Sequence, residues 1–502
     1  MTRPARRAAA ASPVLIGTVL AVLAVLAGCS GDEHTASRES GGRRASTTTT
    51  TTAAPGAGAP GGAGARGVGD PYFPDAGNGG YDVASYDVAL AATIAGADRL
   101  SVTTTIDAEA TADLRTFDLD LVGFDVDRVT VDGSDAAVAR DGRELTVTPS
   151  GPLRTGHDFT VVVTYHGAPG SENGPGAFLE NGGWVDMDGY STVIAEPVGA
   201  ATWIPSNDHP SDKARFRIAA TVPAPLEAVS NGALQSRTTS PDGATTTFTW
   251  ASDEPMAPYL MSLSIGEFDL VDQPTTAGAT IVNAVPPTDH ATADASFRHF
   301  PDMITFFSAR FGRYPFASAG NVIVPGLPPL ALECQTRSVF GLSILQGDPL
   351  EGEVVVAHEL THQWFGDAVS PATWRDVWLN EGFATYGEWL WREHAGGTSV
   401  RQSARDAHDS GDPALQVPTA DPGVHDLFGS SVYLRGGMFL VELQHRMGDE
   451  KFFELLRTWV DRYEYGTAST AQFLALAAEV NGTSIDDLAR PWLYGKPLPP
   501  LS

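Results

Sequence analysis

The sequence predicts a multi-domain chain of α and β structure: an N-terminal antiparallel β domain over residues 70–272, then a mixed α/β, mainly helical domain over 273–502. Three observations carry this. Alternating apolar and polar residues, separated by turn dipeptides, fill the first stretch, which holds no long helical pattern. From about residue 273 the apolar spacing changes to the helical period. Everything before residue 70 has the composition of a leader and a low-complexity tether.

Residues 1–28 read as an export leader. Arg3, Arg6 and Arg7 give a positive start, an apolar run covers 8–27, and Leu26-Ala27-Gly28-Cys29 looks like a bacterial lipobox. Cleavage before Cys29 leaves a thiol that carries lipid. The run is also about long enough to span as an uncleaved anchor. Either way the rest of the chain is expected at the extracytoplasmic face of the cell membrane, lipid-anchored in the first case. Residues 29–69, with a threonine run at 47–52 and irregular Ala, Gly and Pro, read as a disordered tether that cannot bury enough apolar surface to offset its ordering entropy.

In the β domain, Phe117, Leu119 and Leu121 alternate with Asp118 and Asp120, the pattern of a half-buried strand. Residues 160–165, 245–250 and 260–265 read likewise, and Asp132-Gly133, Asp141-Gly142 and Asp242-Gly243 mark turns. Helices are expected at 294–311 (broken at Pro301), 352–365, 378–394, 434–447, 451–463 with Asp449 as N-cap, 470–480 and 485–492.

Composition excludes several classes. Lys plus Arg total 32 against 61 Asp plus Glu, a net charge of -29, which rules out a phosphate-neutralising nucleic-acid binder. Two cysteines cannot make a disulfide-stapled module, and with Cys29 lipidated only Cys334 is left. The acid excess suits solubility and favours cationic peptides.

His358-Glu359-Leu360-Thr361-His362 is the central chemical signal. On a helix, positions i and i+4 share a face, so both imidazoles reach one metal, and Glu359 sits where it can act as base toward a water there. A metzincin would have Gly and His three and six residues after His362; Phe365 and Ala368 occupy those places. Glu381, 19 residues after His362 on the next expected helix, completes a two-His, one-Glu ligand set for zinc.

His358-Glu359-Leu360-Thr361-His362-Gln363-Trp364-Phe365-Gly366 and Leu379-Asn380-Glu381-Gly382-Phe383-Ala384 together resemble the aminopeptidase N family of gluzincin zinc metallopeptidases, in a two-domain bacterial lipoprotein form. Asp70-Pro71-Tyr72-Phe73-Pro74, Glu196-Pro197, Trp203 to Phe216 and Phe311-Gly312-Arg313-Tyr314-Pro315 extend the similarity over about 70–498. The resemblance implies a saddle-like N-terminal sheet domain, a thermolysin-like catalytic domain, one zinc ion and peptide substrates. It also implies that Tyr433, in Ser431-Val432-Tyr433-Leu434-Arg435-Gly436-Gly437, hydrogen-bonds the reaction's oxyanion. Glu333, in Leu330-Ala331-Leu332-Glu333-Cys334, would bind the substrate's free amine with Glu196. The family's Gly, Met and Asn around that Glu are replaced here by Leu330, Leu332 and Cys334.

Only 69 residues follow Tyr433, so the lid that further domains supply in larger family members is expected to be missing and the cleft to be open. Three readings result. The first is a zinc aminopeptidase. The second, motivated by the altered amine-binding motif, is a zinc endopeptidase or other zinc hydrolase with no free-amine requirement. The third is an inactive binding lipoprotein, against which stands the retention of every ligand and the base.

Overall fold

In the computed structural model the described residues are 61–93, 99–179 and 182–502. The expected leader, Cys29 and most of the tether lie outside them. The end of the expected tether is not free: Gly62–Ala63 runs parallel to Leu114–Asp120, and Ala65–Arg66 pairs with Asn78–Gly79. These Gly and Ala residues pair through backbone alone and leave no side-chain pattern to read.

An eight-stranded sheet dominates the N-terminal half. Its order is Ala233–Thr239, Thr245–Met256, Ala214–Pro223, Tyr81–Ala92, Leu100–Ala110, Asp158–Pro169, Gly123–Val131 and Ser134–Asp135. Ala214–Pro223 and Tyr81–Ala92 are parallel; the other neighbours are antiparallel. Asp132 and Gly133, both at positive φ, make the two-residue hairpin turn the sequence predicts. A four-stranded sheet around Leu114–Asp120 packs on it through Tyr81, Phe117 and Phe159. Leu114–Asp120 is not half-buried as its alternation suggests. Asp118 and Asp120 are buried too, because the second face is covered by polar structure: Asp120 accepts from Gly77 N, Asp208 N and Arg143 Nε. A third sheet, of five strands, contains Tyr190–Ile194, which leads into Glu196.

The second half is built on a six-stranded sheet whose main path runs Asp269–Thr276, Ala279–Val285, Asn321–Val324, Ser338–Gly341, Ala331–Leu332. The expected division at 272/273 therefore falls inside a strand. The sheet's middle pairs are parallel and its edge pairs antiparallel. The helices are α1 (His290–Phe297), α2 (Phe300–Phe311), α3 (Pro349–His362), α4 (Trp378–His394), α5 (Val400–His408), α6 (Gly436–Met447), α7 (Asp449–Tyr463), α8 (Thr470–Asn481) and α9 (Asp486–Ala489). Pro301 lies in the first turn of α2, where its missing N–H is harmless, so the chain breaks before it. Asp449 is the first residue of α7 rather than its N-cap; Gly448 holds that place at φ 76°. Helix α5 was not expected, since it is mostly polar and buries only Val400 and Ala404. No helix among the described residues is long and apolar enough to cross a membrane.

Candidate active site

Helix α3 starts where Asp348 accepts from Leu350 N at 3.0 Å and Pro349 takes the first turn. Helix α4 crosses it at Gly387, where a Cβ would lie 2.1 Å from Thr361 Oγ1. A second close crossing sets α4 against α6: a Cβ on Gly382 would stand 3.0 Å from Gly436 Cα. These two crossings bring the faces bearing His358, His362 and Glu381, and the turn bearing Tyr433, to one place.

Glu381 Oε2 lies 3.4 Å from both His358 Nε2 and His362 Nε2. The other ring nitrogens are engaged: His358 Nδ1 meets Glu388 Oε2 at 3.3 Å, and His362 Nδ1 meets the Phe365 carbonyl at 3.2 Å. Acceptors on Nδ1 leave Nε2 as the free ligand atom on each ring. Two imidazoles and a carboxylate with convergent ligand atoms fit zinc, whose catalytic sites use three protein donors of this kind. Burial works against a charge on Glu381, but His362 and His358 outweigh it and hold its carboxyl at about 2.

Glu359 is buried, and that burial, with Glu333 and Glu381 near, lifts its carboxyl to about 7 despite the histidines. Glu333 follows the antiparallel edge strand Ala331–Leu332. Single carboxylate oxygens of Glu196, Glu333 and Glu381 lie within 4.8 Å of one another, as do ligand atoms of Glu333, Glu359 and His362. Glu196 and Glu333 are 4% and 2% exposed, and each has one buried oxygen with no hydrogen-bond partner. Burial, then Glu333 and Glu381, push Glu196 well above the usual carboxylate range, whereas burial raises Glu333 against the opposing pull of His362. Two such acids side by side have the chemistry to hold a cation.

Tyr433 occupies a π-helical turn, Ser431–Arg435, just before α6. Its ring lies nearly parallel to that of His358, 6.0 Å away centre to centre. Burial, then Glu381 and Glu196, raise its pKa well above 10, so the phenol keeps the proton it would donate. Cys334 is a buried free thiol, held neutral by burial and by Glu333.

Residues 83–260 match the family model described as the peptidase M1 N-terminal domain, and residues 296–492 match the peptidase family M1 domain. A solved M1 zinc metallopeptidase from Deinococcus radiodurans is 30% identical, with a TM-score of 0.76 over 87% of this chain and 98% of that one. The chain belongs to peptidase family M1. A mutant M1 zinc metallopeptidase from Deinococcus radiodurans, bound to a Tyr-Ser-Ala substrate, is likewise similar: 30% identity and a TM-score of 0.77 over 87% of this chain and 99% of that one. Human glutamyl aminopeptidase is 26% identical over 59% of this chain and 33% of its own length. Probable aminopeptidase 2 of Sulfurisphaera tokodaii is 27% identical over 60% and 41%. The matched part thus spans 33% of one of those curated relatives and 41% of the other.

The M1 fold therefore brings together every site residue the sequence nominated within the described residues: His358, His362, Glu381, Glu359, Glu333, Glu196 and Tyr433. Two contributors were missed. Glu388 orients His358, and its position seven residues after Glu381, on the same face of α4, was a usable signal. Gln363 bridges α3 to the edge strand, donating to Glu333 O at 3.1 Å and accepting from Thr336 N at 2.7 Å. Asp70, in the turn-rich start of the β domain, is spent on structure: it accepts from Tyr72, Phe73 and Trp374 N and faces His209.

Proposed function

We propose that this M1 chain is a zinc aminopeptidase that removes N-terminal residues from peptides, with one zinc ion held by His358, His362 and Glu381. The observation that carries the reading is the pair of buried carboxylates, Glu196 and Glu333, facing each other beside the metal ligands with unpaired oxygens. A peptide's terminal ammonium is the complement of that pair, and anchoring it fixes which bond lies at the centre. Zinc, when bound, supplies Lewis acidity toward the scissile carbonyl and a more acidic water. Glu359, with its pKa raised toward neutrality, accepts the water's proton and hands it to the leaving amine. Tyr433 donates its phenolic hydrogen to the oxygen that gains negative charge.

Two measurements on the full chain test this. Turnover of Tyr-Ser-Ala with a free amine is compared with turnover of its acetylated form; strong preference for the free amine is expected, and equal rates would make the protein an endopeptidase. Glu359→Gln should abolish turnover with zinc content unchanged; retained activity would sink the mechanism. For localisation, the lipobox supports attachment through lipid on Cys29 at the extracytoplasmic face of the cell membrane. Labelled fatty acid should enter the wild type and be lost from Cys29→Ala, and unchanged labelling would refute the anchor.

A further inference from the structure

The turn that carries Tyr433 is wider than an α-helical turn and less favourable by itself, so its shape depends on what holds its ends. Arg435 holds one end. Its side chain is fully buried, and its hydrogen bonds among the described residues go to backbone carbonyls. Nε donates to Trp492 O at 2.7 Å, Nη1 to Leu415 O at 2.8 Å, and Nη2 to Pro491 O at 2.7 Å and Gly495 O at 2.5 Å. Pro491 and Trp492 belong to a second π-helical turn, Arg490–Tyr494, whose last carbonyls lack partners within the helix and form the negative end of its dipole. Burial lowers the guanidinium's pKa to about 10, which leaves it cationic at neutral pH.

Ser431 holds the other end. Its Oγ donates to Val417 O at 2.5 Å, while Thr419 Oγ1 donates to Ser431 O at 3.2 Å. Ala420 N donates to Leu493 O at 2.9 Å, which joins the 415–420 segment to the 490–497 segment. The Tyr433 turn is therefore clamped at both ends to one frame of irregular chain, and Arg435 reaches both parts of it.

We propose that Arg435 is the positioning residue of Tyr433: it locks the turn to the 415–420 and 490–497 segments, so that the phenol is preset beside His358 before substrate arrives. The inference rests on the oxyanion role given to Tyr433 above. A lysine keeps the charge but lacks the planar fork that serves both segments at once. Loosening the lock displaces the phenol and leaves the amine receptor untouched, so the loss falls on kcat and not on KM.

The test is a double-mutant cycle in the full chain, with Arg435→Lys, Tyr433→Phe and the double variant assayed on free-amine Tyr-Ser-Ala. Zinc content and thermal midpoint are read alongside. Tyr433→Phe should lower kcat about 100-fold, the loss of one oxyanion donor. Arg435→Lys should lower kcat about tenfold at unchanged KM, as a misplaced group does. The double variant should be no slower than Tyr433→Phe. Losses that multiply, or an Arg435→Lys effect confined to KM, would overturn the proposal. Should Arg435→Lys not fold, Ser431→Ala loosens the other end and is crossed with Tyr433→Phe; multiplying losses there overturn it equally. A Tyr433→Phe enzyme as fast as wild type would remove the oxyanion reading, and the proposal with it. That outcome appears in the single variant and is distinct from a failed cycle.

Discussion

Replacing Glu333 by Gln keeps the volume of the side chain and removes one of the two charges proposed above to face the substrate's amine. Glu333 is 2% exposed, and one of its oxygens has no hydrogen-bond partner, so little solvent screens it. An ammonium about 4 Å from a carboxylate gains about 4 kcal/mol at an effective dielectric of about 20. Desolvation of the ammonium takes back part, and the Gln carbonyl still accepts a neutral hydrogen bond. The net loss is about 2–3 kcal/mol, the usual worth of a hydrogen bond to a charged group. That corresponds to a fall of about 30- to 150-fold in kcat/KM for a free-amine peptide. An acetylated peptide carries no ammonium, and its slow hydrolysis should change by less than about twofold, since no charge is lost across the contact. Steady-state kinetics on both peptides, at matched zinc, give the ratio directly. Equal falls for the two substrates, or no fall for the free amine, would refute the assignment of Glu333 to the ammonium.

Three other outcomes are expected. Glu388→Gln weakens the acceptor on His358 Nδ1 and should lower zinc affinity about 10- to 100-fold, read by competition with a chelator; unchanged affinity would show that the ring is held without it. Glu144 has both carboxylate oxygens buried and unpartnered, and burial, with Asp120 and Asp118 beside it, pushes its pKa up to about 8. Its folded-state pKa exceeds the unfolded value, so the stability it contributes is full below about pH 4.5 and is lost as pH rises toward 8, at up to about 1.4 kcal/mol per unit. Glu144→Gln should therefore match wild type near pH 4 and unfold at a higher temperature at pH 8, and a variant less stable at pH 8 would contradict the sign. Gly183→Ala should cost stability without touching the zinc ligands, because φ is +91° and the new Cβ would meet Thr202 Oγ1 at 2.1 Å; a thermal midpoint equal to wild type would show that the strand shifts freely.

The zinc ligands were legible because their constraint is local. A four-residue spacing on a helix fixes two imidazoles, and the asparagine-glutamate-glycine run marks the partner helix. Glu196 and Glu333 were legible only by resemblance; nothing in spacing says that residues 196 and 333 meet, since that depends on how two sheets end. Arg435 was visible as a residue but not as a clamp, because its acceptors are backbone carbonyls, which any sequence provides. The strand of Phe117 was found, and its burial misjudged, for a related reason. Alternation reports one covered face, and the second is covered here by a polar network that leaves no apolar trace. The π-helical turn at Tyr433 has no spacing signature either; an extra residue in a helix shows only once its neighbours are packed.

Glu196 follows Tyr190–Ile194, a strand of one half, while Glu333, His358, His362 and Glu381 belong to the other. On the proposed function, the ruler that counts from a peptide's first residue is thus shared property, assembled only when both halves are docked. Cutting the chain between the two and separating them would leave the hydrolytic centre with Glu333 alone of the pair proposed to hold the amine, and no second point from which to measure. Conversely, exchanging the segment that carries Glu196 between relatives offers a way to change which chain ends are accepted without altering any residue that performs the bond cleavage.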